Sequence, residues 1–114
     1  MFKFLQSVVG GVAHSVDSEA SGVLYIRGTL KKAGYAPDRM PEEFYRELSA
    51  HAHKFSQSMS QLSTKEKPVT YFVQHLDYIA TLLESALDGS QVEASGPLVE
   101  ILTKYGLQAR DPYA

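Results

Sequence analysis

Cysteine is absent from all 114 residues. Disulfides, thiolate nucleophiles and thiolate metal ligands are therefore excluded. A chain of this size can bury one core without covalent staples, so the absence fits a cytoplasmic protein. No stretch approaches the roughly 18 consecutive apolar residues of a membrane span. Secretory-leader character is also lacking: Met1 to Val16 holds one lysine, Lys3, and its apolar stretch is broken by Gln6, Ser7, Gly10 and Gly11. Val12-Ala13-His14 is a poor cleavage site, and no leader is expected. The net charge of −2 gives no global attraction to nucleic acid or anionic lipid. G-x-S-x-G, G-x-G-x-x-G and H-E-x-x-H are all missing, and so are the acyl-transfer, phosphate-cradle and zinc-hydrolase chemistries they carry.

With 44% hydrophobic and 21% charged residues, the chain has the makings of a globular domain rather than a disordered one. The strongest signal runs from Val69 to Leu87. Phe72, Val73, Leu76, Ile79, Ala80 and Leu83 recur at three- and four-residue steps, and Tyr71, His75, Tyr78 and Leu82 form a second row beside them. Together the rows cover roughly 220° of a helix, against about 100° for an ordinary surface helix. Such a helix needs contacts from two directions, supplied by the same chain or by a partner.

Further helices are expected on either side. Phe2 to Val16 places Leu5, Val8, Val9 and Val12 on one face, a weak helix that depends on docking. Asp17 or Ser18 offers an N-cap for a helix from about Glu19 to Ala33, with Gly34 as its left-handed stop. Gly22 and Gly28 inside it suggest close packing against another backbone. Pro41-Glu42-Glu43 starts a third helix that reaches Leu62. Its apolar stripe is Phe44, Tyr45, Leu48, His51, Ala52, Phe55, Met59 and Leu62; Arg46, Ser49, His53, Gln57 and Ser60 read as its solvent face. The fourth starts near Lys67, because a capping box at Ser63 and Glu66 would leave Pro68 straining the second turn, and it ends at Gly89. Residues 90–96 read as irregular, Pro97 to Tyr105 as a short last helix, and 108–114 as a flexible tail.

The fold class is all-α: a single-domain bundle of four to five helices over 1–107, with 41–62 and 67–88 as the central antiparallel pair and 1–16 as a docking or interaction helix. No repeat and no sustained strand alternation competes with this reading.

Among candidate sites, His51 and His75 could approach each other across facing helices, with Glu47 one turn before His51. That resembles the corner of a metal-binding bundle, but Glu-x-x-His and His-x-x-x-His pairs are missing and His53 points away from His51. No metal or cofactor is expected. Arg27, Lys31 and Lys32 form a small basic patch, opposed by an exclusively negative stretch from Pro68 to Thr103. The patch is weak for a nucleic-acid binder, and the N-terminal stripe lacks the basic face of an interfacial membrane helix. Neither nucleic acid nor membrane is an expected partner. The expected function is a non-catalytic protein–protein interaction or regulatory module, with homodimerisation one form of it. Tyr71, His75, Tyr78 and Leu82 are its expected contact row, supported by the seven tyrosines of the chain.

Overall fold

The computed structural model describes residues 15–36, 38–62 and 66–113. The N-terminal segment up to His14, Pro37 and the Ser63 capping position lie outside the described residues. Four helices are present in the described chain: α1 (Ser15–Lys32), α2 (Glu42–Leu62), α3 (Pro68–Leu87) and α4 (Gly96–Lys104). The protein is an all-α bundle, with α2 and α3 as an antiparallel central pair.

Local chemistry sets these boundaries. Glu42 and Glu43 occupy the positive end of α2, and Pro68 sits in the first turn of α3. Gly34, Gly89 and Gly106 have φ values of 99°, 92° and 89°, the left-handed region that ends a helix without a Cβ penalty. In each case the following amide reaches back to the helix: Tyr35 to Leu30, Ser90 to Ser85 and Leu107 to Leu102. One boundary differs from expectation. Asp17 and Ser18 are not caps, because α1 is already helical at Ser15.

α1 lies against α2 and α3 together. Its approach to α2 is set by Gly22, where a Cβ would fall 1.9 Å from Ser49 Oγ. Ser49 is fully buried and donates a hydrogen bond to the Glu19 carbonyl at 2.9 Å. Ser49 was expected on the solvent face of α2. A small side chain at that position instead lets α1 close in, so the face is an interface. Gly28, by contrast, meets nothing within 4 Å. The core between the helices is built from Ile26, Leu30, Leu48, Phe72, Leu76 and Leu83, each at most 2% exposed.

The stretches expected to be irregular and loose are tied together. Val92–Glu93 (β1) pairs in parallel with Ala109–Arg110 (β2), with Val92 opposite Ala109 and Glu93 opposite Arg110. Amides of Val92 and Ala94 donate to the carbonyls of Gln108 and Arg110 at 3.0 Å. The pairing buries Val92 and Ala94 and aligns Arg110 with Glu93 at 2.6 Å. These two short strands bracket α4 and hold it against α2.

The two glycines of α1 should respond in opposite directions to alanine. Gly22→Ala should destabilise the fold by about 1–3 kcal/mol, because the hydrogen-bonded Ser49 must move. Gly28→Ala should stabilise it by about 0.5–1 kcal/mol through helix propensity alone. Urea unfolding of both variants followed by circular dichroism checks the pair.

Candidate functional site

α1 covers one side of the α2–α3 pair. On α2, α4 reaches as far as the level of Phe44 and Glu47: the Tyr105 ring packs on Phe44 at 5.1 Å, and the Tyr105 hydroxyl and Lys104 ammonium bind the Glu47 carboxylate. His51 and Phe55 follow on the same stripe, one and two turns further along α2. There the apolar stripe continues, but burial fades: Met59 is half-buried, Phe55 is 37% exposed and Leu62 is 82% exposed.

A ring cluster occupies this stretch. His75 of α3 stacks on Phe55 with centroids 4.0 Å apart and planes 13° from parallel. The ring centroids of His51 and Tyr78 stand 5.1 Å and 5.4 Å from that of His75. The approach of His51 to His75 anticipated from their helix faces is thus present. Glu47 does not join them. Its hydrogen bonds from Tyr105 and Lys104 hold it at α4 and keep its carboxyl below the usual range. His53 faces elsewhere, edge-on to Phe72 at 6.2 Å.

Both imidazoles are chemically exceptional. Nε2 of His51 and Nε2 of His75 are buried and lack a hydrogen-bond partner. Burial, reinforced by the neighbouring His51, pushes His75 down from 6.5 to about 4. Burial and then Lys54 push His51 down as well. Both rings are therefore neutral at pH 7.

The four expected contact residues separate by environment. Tyr78 is 42% exposed, Tyr71 and Leu82 are half-buried, and Leu82 packs against the core. His75 is buried at 9% exposure, which leaves its neighbours rather than itself to meet solvent. Phe55 belongs to the same surface. Its place on the α2 stripe suggested core, and the short reach of α4 left it partly uncovered. Tyr78 also lines a shallow cavity of about 270 Å³, shared with Ala94, Ser95, Asp111 and Tyr113.

Of the basic patch, Arg27 lies 3.8 Å from Glu42 and 5.6 Å from the centre of the Tyr45 ring. Lys31 and Lys32 are exposed at the negative end of the α1 dipole. Among the described residues no group of three or more His, Cys, Asp or Glu is arranged to hold a metal, and no helix is long and apolar enough to cross a membrane.

The depressed histidines fix the sign of the pH response. The unfolded chain binds protons near pH 6.5 that folded His75 accepts only near 4, so stability is complete above 6.5 and falls as the pH drops towards 4. Between pH 7 and pH 5 His75 alone should account for a loss of about 2 kcal/mol. Denaturant titrations across that range should show the slope in the wild type and a flatter curve in His75→Phe.

Compared with known protein families, curated proteins and solved structures, the chain matches none of them.

Proposed function

We propose that the chain is a small non-catalytic interaction module that binds another protein, a second copy of itself included, through the part of the α2–α3 face that the described residues leave uncovered. The observation that carries this reading is the continuous aromatic surface from Phe55 over His75 to Tyr78. Its two flanking rings are 37% and 42% exposed although they pack on a buried neighbour. Partly exposed aromatic side chains held rigid by packing are the kind that anchor protein interfaces, since little side-chain freedom remains to be lost on binding. Leu62 extends the apolar surface along α2, and the Tyr78 cavity offers a recess for a partner side chain. The basic patch supports nucleic-acid binding poorly, because Arg27 is already engaged by Glu42 and Tyr45. A cytoplasmic setting belongs to the same reading and rests on the cysteine-free composition.

Tyr78→Ala and Phe55→Ser should each weaken association by about tenfold or more while helical content is unchanged. Sedimentation velocity reads the self-associating case. Quantitative capture from a lysate of the source cells, compared between wild type and variants, reads the case of a different partner. Loss of the helical signal would assign both rings to the core. An unchanged oligomeric state together with an unchanged captured set would remove the face from consideration.

A further inference from the structure

The aromatic surface from Phe55 to Tyr78 continues into exposed Leu62 and half-buried Met59 and Tyr71. α1 does not lie on this flank. Ser49 and Asp77, which α1 touches, each stand about 200° round their helix from His51 and His75. We infer that the chain's own segment Phe2–Val9, which lies outside the described residues, docks in cis on this open flank and has to be displaced before another protein binds there. The inference rests on the reading of the face as a contact surface and names what regulates it.

Position, reach and chemistry select this segment. Arg27 meets Glu42 and Glu19 meets Ser49, so α1 and α2 run antiparallel. Ser15, one turn before Glu19, therefore stands near the level of His53, at the end of the bundle where coverage fades. From there the route over the end of the helix pair is about 14 Å along α2 to Leu62 and about 10 Å across to the other flank. Leu5, ten Cα steps before Ser15, reaches up to about 33 Å. Phe2, Phe4 and Leu5 thus arrive at the Phe55 surface, while Val8 and Val9 pass Leu62 on the way. These five apolar side chains gain by leaving water, and rings from Phe2 and Phe4 suit a surface made of Phe55, His75 and Tyr78. A short tether gives the segment an effective concentration of millimolar order, so a weak contact is enough to keep it in place. Charge agrees with the same direction. No acidic residue precedes Asp17, and Lys3 arrives beside the Tyr78 cavity, which Glu93 and Asp111 line.

The test exploits the absence of cysteine. Ser7→Cys in the full chain carries a nitroxide, and nuclear magnetic resonance reads the ring signals of Phe55, His75 and Tyr78. The label should remove most of their intensity and leave the Lys32 amide, at the far end of α1, unchanged. Adding Phe4→Ser and Leu5→Ser to the labelled chain should restore the ring signals. Mixing labelled, unenriched chain with unlabelled, isotopically enriched chain should leave the enriched rings intact, as a cis contact requires. Full ring intensity in the labelled chain, or intensity still lost after Phe4→Ser and Leu5→Ser, would overturn the docking. Loss in the mixture would overturn it too, by giving the face to the segment of a second copy. Failure here is distinct from failure of the interaction reading. Intact rings with association still weakened by Tyr78→Ala would remove the segment alone. Lost ring intensity with association indifferent to Tyr78→Ala would uphold the docking and remove the external partner.

Discussion

The hydrophobic width of α3 is the constraint on which the rest of the molecule depends. Phe72, Leu76, Ile79 and Leu83 are at most 2% exposed, and Ala80, Ala86 and Leu87 at most 5%. One neighbouring helix cannot dry so broad a surface. α2 therefore packs on one flank, α1 bridges α2 and α3, and the β1 segment closes the C-terminal end. Each addition has its own local requirement. α1 comes close enough only because residue 22 has no side chain, and α4 remains against α2 because a two-residue strand pair brackets it.

Polar chemistry then fastens the apolar layers in register. Tyr25 donates to Asp77 at 2.6 Å, and the Tyr35 hydroxyl reaches both the Glu84 carbonyl and Asp88 at 2.9 Å. Arg39 donates to the Leu87 carbonyl at 2.6 Å, placing a cation at the negative end of α3. Residues 25–39, which include the basic patch, and the negative stretch from Pro68 to Thr103 are thus joined within the bundle. Tyrosine usage follows the same logic. Tyr25, Tyr35, Tyr45 and Tyr105 serve internal contacts, so the large tyrosine count says less about interfaces than composition suggests. Tyr78 and Tyr113 are the ones more than one-third exposed.

The helices were legible because periodicity, prolines and stop glycines acted together: Pro41 and Pro68 mark starts, and Gly34, Gly89 and Gly106 mark ends. The approach of His51 to His75 was legible too, since it follows from two helix faces and an antiparallel pairing. Ser49 was not, because a polar residue becomes core only when a partner with a glycine opposite it arrives, and a single helix cannot reveal that. The β1–β2 pair escaped for a related reason. Two residues are too few for an alternation to register, and their pairing is created by the return of the chain after α4. Phe55 lies on the apolar stripe and is still partly exposed, because a stripe shows which face is apolar but not how far along it a neighbour extends.

That last distinction explains why unusual chemistry gathers where it does. Along the α2 stripe, Phe44 and Leu48 are fully buried, whereas His51 is half-buried and Phe55 and Leu62 are exposed. In the fully covered part, packing alone satisfies the residues. Where coverage thins, the same stripe carries imidazoles and an aromatic ring stacked on one another. Neutral imidazole tolerates this boundary because it offers an apolar face to Phe55 while retaining nitrogen atoms for other uses. Leucine at position 75 would meet the packing requirement without the penalty of an unpartnered nitrogen. The histidine is thus a cost that packing does not demand, located where the described bundle stops covering its own central pair.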